Sequence, residues 1–183
     1  QGNWRNGLRT LRVAHESFPN NDLARKAQED MRAAFVDLYV KGKADKLKPV
    51  DSLALFYDFI DLTPIGAEGD EMIRRMADRL AAVDLLGSAA DLLKHQIDNR
   101  LEGVARAQVA VRLAMIQLSD HKPQDALDTL QAYRISGLPE QVNHDRLLLE
   151  ARALAALKQW DNAIELIAVD EAPDTRALRA DIY

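Results

Sequence analysis

The sequence has no cysteine. A disulfide framework, a thiolate metal site and a cysteine nucleophile are therefore excluded within its 183 residues, while the redox compartment stays open. Glycine (8) and proline (6) are sparse, and aromatic residues make up only 5%. A sheet domain of this size needs more turn residues and more β-branched and aromatic ones. No stretch approaches the roughly 18 uncharged apolar residues of a membrane span. Positive charge is also short: 24 Lys and Arg stand against 29 Asp and Glu, a net charge of -5. That balance speaks against a nucleic-acid partner, because neutralising phosphates takes a basic stripe. The opening Gln1-Gly2-Asn3-Trp4 carries neither Met nor a basic-then-apolar leader pattern, so it is expected to lie inside a longer protein.

What the chain does have is alanine and leucine, 28 and 26 of them, within a composition that is 48% hydrophobic and 29% charged. Both residues favour helix, and apolar positions recur at helical spacing almost throughout. Helices are expected near 3–17, 22–41, 50–62, 69–83, 86–97, 100–119, 123–135, 140–157, 161–169 and 174–183. Pro19 should end the first, and Asn20-Asn21-Asp22 offers N-caps for the second. Thr63-Pro64, Asp120 with Pro123, and Gly137 with Pro139 mark later breaks. The loosest connections are expected at 42–48 and 64–69. The expectation is one continuous all-α domain over 1–183.

The chain also repeats itself. Ala77 and Ala89, Ala114 and Ala126, and Ala151 and Ala163 are three couples with one internal spacing, and successive couples lie 37 residues apart. Leu93, Leu130 and Ile167 sit four residues beyond the second alanine, and Leu86, Pro123 and Trp160 three before it. The phase extends backwards to Ser52 with Phe56, and more faintly to Gly7 with Leu11. Small residues at these places let two antiparallel helices approach closely near their turn. Large residues one turn away then fill the space between neighbouring hairpins. One such hairpin buries too little to offset its own chain entropy, so the units belong in arrays.

These residues resemble the tetratricopeptide repeat (TPR) family of helix-turn-helix solenoids. The match is best from Glu150-Ala151 through Trp160-Asp161-Asn162-Ala163 to Ile167, where small residues take the two helix-crossing positions. The period of 37 departs from the family's 34, and Gln117 stands where an aromatic or Leu is usual. The resemblance implies an all-α right-handed superhelix of about ten antiparallel helices, a segment of a larger bacterial protein. Its units would cover 1–18 (a half repeat), 22–62, 65–98, 100–136, 139–170 and 173–183 (a half repeat).

In this family the first helix of each hairpin lines a concave groove. The resemblance assigns to that groove Glu71, Arg74, Asp78, Ala81 and Ala82, then Gln108, Val111, Met115, Leu118 and Ser119, then Asp145, Leu148, Arg152, Ala155 and Ala156. An apolar middle of Val111, Met115, Leu118 and Leu148 would be flanked by Arg74 and Arg152, a surface suited to a partner helix or extended peptide. The Lys and Asn clamp with which some members hold a carboxylate tail is not reproduced.

Catalysis is not expected. His15, His95, His121 and His144 are scattered, the His95 and Asp98 pair has no nucleophile nearby, and there is no zinc-binding helix motif, phosphate-cradling glycine loop or nucleophile elbow. No cofactor or metal is implied. The lysines at 41, 43, 46 and 48 read as a solvated turn. Both chain ends look like half hairpins, which predicts exposed Trp4, Leu8, Leu178 and Ile182 and end-to-end self-association. The expected function is a non-catalytic protein-protein interaction scaffold. The rival reading is a structural superhelical arm of a multidomain enzyme, similar to those of lytic transglycosylases, with catalysis elsewhere.

Overall fold

The structure, a computed structural model, describes residues 3–17 and 21–182. Among the described residues there are ten α-helices, which within each compact unit pack mainly against sequence neighbours: α1 Trp4–Ser17, α2 Asp22–Tyr39, α3 Pro49–Asp58, α4 Ala67–Ala81, α5 Leu86–Asn99, α6 Gly103–Ser119, α7 Pro123–Ala132, α8 Glu140–Ala156, α9 Trp160–Leu166 and α10 Pro173–Ile182. Short 3-10 helices span Lys43–Lys46 and Ile60–Leu62. Contacts gather the chain into two compact units, Gln1–Val83 and Asp84–Tyr183. Pro19, Asn20 and Tyr183 lie outside the described residues. Asn21 is the N-cap of α2, its side chain accepting from the Leu23 amide at 3.1 Å. Pro49 and Pro123 open α3 and α7, where a missing N–H removes no helix bond.

In the first unit, aromatic residues from α2 and α3 form the centre. Phe35, Tyr39 and Phe56 are buried, with the Tyr39 and Phe56 rings edge to face at 5.1 Å. The Tyr39 hydroxyl donates to the Ser52 carbonyl at 2.7 Å, so the one polar atom of this cluster is matched. The connection expected to be loosest is in fact anchored. Gly42 turns left-handed (φ 75°), and Ala44 of the following 3-10 helix is fully buried. Two of its lysines are spoken for. Lys41 pairs with Asp37 at 2.6 Å and Lys43 pairs with the same carboxylate, which together bring Asp37 down to about 2.

In the second unit each helix packs on the next, and α6 also touches α8. Ala114 and Ala126 are fully buried in one cluster with Leu127, Leu130, Leu149 and Ala153. Ala151 and Ala163 are fully buried in the next, with Ala155 and Ile167. These two couples occupy interhelical contacts, as close approach requires. The expected unit 65–98 straddles the two compact units, and its alanines, Ala77 and Ala89, are each fully buried.

The turns repeat as faithfully as the alanines. Asp84, His121 and Lys158, at 37-residue intervals, are the three non-glycine residues with positive φ among those described (63°, 56° and 62°). Each is followed by a residue of one conformation: Leu85 (φ -86°, ψ 54°), Lys122 (-113°, 65°) and Gln159 (-92°, 61°). The Lys122 amide donates to the Gln117 carbonyl at 2.9 Å and the His121 amide to Leu118 at 3.1 Å. Gln159 to Leu154 and Lys158 to Ala155, both 2.9 Å, repeat the pattern. This is the Schellman ending of a helix, built without the glycine that usually occupies its left-handed position. A side chain there is strained, so His121→Gly and Lys158→Gly should each raise stability by about 1 kcal/mol. Urea unfolding of each variant measures the gain, and a loss would mean that the turn is not left-handed in solution.

The expected exposed ends are corrected in part. Leu8 is buried at 2% exposure, because α1 lies along α2. Leu178 and Ile182 are half-buried against the Ala151, Ala155, Ala163 and Ile167 cluster. Trp4 is half-buried, with the Lys43 ammonium 5.8 Å from its ring centre.

Candidate functional site

Helices α6 and α8 enclose a cleft of about 500 Å³. Its walls include six of the groove residues expected from the sequence: Gln108, Val111 and Met115 on α6, and Asp145, Leu148 and Arg152 on α8. They come together because positions three or four apart share one helix face, and α6 and α8 turn those faces to a common space. Arg112, Val142 and Leu149 complete the lining. The floor is apolar and rests on a rigid base. Leu149 belongs to the buried Ala114–Ala126 cluster, and Val111 packs against it.

Exposure divides these residues by role. Leu148 is buried and Val111 half-buried, whereas Met115 is 46% exposed, large for an unbranched apolar side chain. Gln108 and Arg152 are exposed. Arg152 makes no ion pair or hydrogen bond among the described residues. Asp145 accepts from the Gln141 side chain at 2.8 Å, which orients its carboxylate. The Arg152 guanidinium and the oriented Asp145 carboxylate therefore stand beside an apolar floor.

The remaining expected groove residues are not part of this lining. Leu118 packs on the Ala114–Ala126 cluster, Ala155 is buried beside Ile167, and the Ser119 hydroxyl bonds back to the Met115 carbonyl at 3.0 Å. Arg74 and Asp78 are on α4 in the first unit, half-buried, with Arg74 held by Glu71 at 2.8 Å. The pairing of His95 with Asp98 is not made. His95 meets the Asn99 amide at 3.2 Å, while Asp98 accepts from the Tyr133 hydroxyl at 2.8 Å and from Lys94 at 3.2 Å. Tyr133, first among the causes, holds the Asp98 carboxyl below its ordinary range.

A second polar constellation ties α8 to α10. His144 Nδ1 lies 2.9 Å from Asp170 and Nε2 3.1 Å from Asp174. Asp170 is itself held by the Ala172 amide at 2.9 Å and by the buried Thr175 hydroxyl at 3.0 Å. Only an imidazolium can donate from both ring nitrogens. The Asp174 hydrogen bond first, and then the charges of Asp170 and Asp174, accordingly raise the His144 pKa above 6.5. Both carboxyls are lowered from 3.8, Asp170 chiefly by the Ala172 amide and Asp174 chiefly by His144.

The signs combine into one window. The histidine contribution is complete below 6.5 and is lost as pH rises through its raised folded value; the carboxylate contributions are present above 3.8 and are lost as pH falls through their lowered values. Docking of α10 should therefore be tightest between those limits and loosen at alkaline pH. Amide exchange in α10, corrected for intrinsic rates, should quicken from pH 6 to pH 8.5 in the parent and show no such step in His144→Gln. An equal step in both would remove His144 from the clasp.

Among the described residues, no group of three or more His, Asp or Glu is arranged to hold a metal ion, and no helix is long and apolar enough to cross a membrane. Compared with known proteins, the chain matches no family model, no curated protein and no solved structure.

Proposed function

We propose that the chain is a segment of a TPR-like α-solenoid that works as a non-catalytic protein-interaction scaffold, and that its α6–α8 cleft takes an acidic amphipathic helix of a partner protein. The observation that carries the reading is the cleft itself: an apolar floor of Val111, Leu148 and Leu149, a protruding Met115, and an Arg152 guanidinium with no partner of its own among the described residues. Apolar residues on one face of the partner helix enter the floor, and Met115 adapts to their shape. Glu or Asp beside that face meets Arg152. The polar groups of the lining are guanidinium, carboxylate and amide, which read charge. The turns at His121 and Lys158 and the two buried alanine couples of the second unit support the array, since each fixes the angle between one helix of that unit and the next.

The test uses two labelled amphipathic helical peptides with one Leu face, flanked by Glu in the first and by Lys in the second. The Glu peptide should bind the tighter of the two, and Arg152→Glu should weaken it by about tenfold, the worth of one well-placed charge. Equal affinity for both peptides, or no change in Arg152→Glu, would remove the cleft from recognition.

A further inference from the structure

The connection from α7 to α8 encloses a smaller and more polar hollow, about 390 Å³, lined by Arg134, Ser136, Gly137, Asn143 and Arg146 among others. Arg146 is buried, its side chain only 7% exposed. Its Nη1 donates to Glu150 at 2.7 Å and its Nη2 to the Asn143 side-chain oxygen at 3.3 Å. Its Nε is buried and has no partner. A buried guanidinium N–H left unmatched is costly, and native proteins seldom leave one so.

The neighbouring connections differ on this point. Arg106 Nε donates to the Leu101 carbonyl at 2.7 Å and closes the connection between α5 and α6. Arg179 donates to the Ala168 and Asp170 carbonyls at 2.8 and 3.0 Å and closes the one between α9 and α10. Between α7 and α8 the Arg146 guanidinium bonds instead to Glu150 and Asn143 on its own helix, and no arginine closes the connection among the described residues. Arg134, at its rim, is exposed and makes no side-chain hydrogen bond or ion pair among the described residues.

We propose that this hollow binds a small phosphate-bearing anion. Glu150 cancels the charge of Arg146, whose guanidinium still belongs to the lining, and the net positive charge is that of Arg134. The Ser136 hydroxyl and the Asn143 amide are further donors in the lining. Four donor groups around one space suit an anion with several acceptor oxygens, and a guanidinium fork matches the spacing of phosphate oxygens. The hollow has room beyond the phosphate for a small organic group, so free phosphate and a phosphate monoester are the two sources of one chemistry.

The experiment titrates the full chain with inorganic phosphate, glycerol 3-phosphate and, at matched ionic strength, sodium chloride, while the Arg146 Nε–H resonance is followed by NMR. Phosphate or the monoester should shift that resonance saturably and chloride should not, with the tighter of the two naming the source. Arg134→Gln, a surface change that leaves the buried pair intact, should weaken binding by about tenfold. Ser136→Ala gives an independent second reading and should weaken it also. A resonance that moves equally with chloride, that does not move at all, or that titrates identically in Arg134→Gln would overturn the proposal and assign the hollow to water alone.

Discussion

Replacing Glu150 by alanine should lower the stability of the second unit by about 3–5 kcal/mol, the cost of leaving a buried charge without its partner. The pair lies on one face of α8, Arg146 Nη1 to Glu150 at 2.7 Å, with side chains only 7% and 10% exposed. At that depth the Coulombic attraction is strong, but so is the desolvation each ion suffered on folding. The pair is therefore poor evidence of net stabilisation, while the single deletion is severe. A double change separates the two statements. Arg146→Met with Glu150→Leu removes both charges and refills the space, and it should recover most of the loss. Urea unfolding with amide exchange across α8 reads both variants. If Glu150→Ala were nearly silent, water from the neighbouring hollow would have to solvate Arg146 in place of Glu150.

The second large effect is expected in the other unit. Phe56→Ala should cost about 3–5 kcal/mol, since the ring is fully buried and the cavity left behind collapses only in part. Phe56 stands 5.5 Å from Phe35 and 5.1 Å from Tyr39, centre to centre, so its removal strips two aromatic contacts at once. It also loosens the seat of Tyr39, whose phenol is pushed up by burial and whose hydroxyl bridges to the Ser52 carbonyl. Phe56→Leu refills much of the hole and should cost clearly less. Exchange of the α2 and α3 amides, followed in both variants, measures the difference; equal losses would mean that the site tolerates no change of shape and that cavity volume is not the governing quantity.

The helices were legible because their chemistry is local. Apolar spacing set each helix, and Asn21 and Pro123 mark starts that the structure keeps. The alanine couples were legible for a different reason, since only small residues allow helices to touch near a turn, and a fixed interval separates design from coincidence. The left-handed turns were not legible. Asp84, His121 and Lys158 share a backbone conformation but no side-chain chemistry, and the glycine that would have announced it is absent. The 3-10 helix Lys43–Lys46 was hidden by its lysines, which read as solvent-facing while Ala44 anchors the segment.

The cleft followed the same division. Gln108, Val111, Met115, Asp145, Leu148 and Arg152 were assigned to a groove by the family resemblance, and all six line the cleft because each set shares one face of its helix. Arg112, Val142 and Leu149 were missed because they stand beside that stripe and enter the cleft only through the crossing of α6 with α8. The burial of Arg146 could not be read from spacing either. An Arg and a Glu four apart look like any surface pair, and only tertiary packing takes water from them. His144 is the same case, since its carboxylates lie more than 25 residues further along the chain.

A partner helix seated in the α6–α8 cleft, as proposed, would lie against Met115. The most direct measurement follows the Met115 methyl by NMR while the Glu-flanked amphipathic peptide is added. This methyl should shift saturably, with cross-peaks to the peptide's Leu methyls, and Val111 and Leu148 should respond at the same peptide concentration. A peptide that binds while all three methyls stay unmoved would contradict that seating.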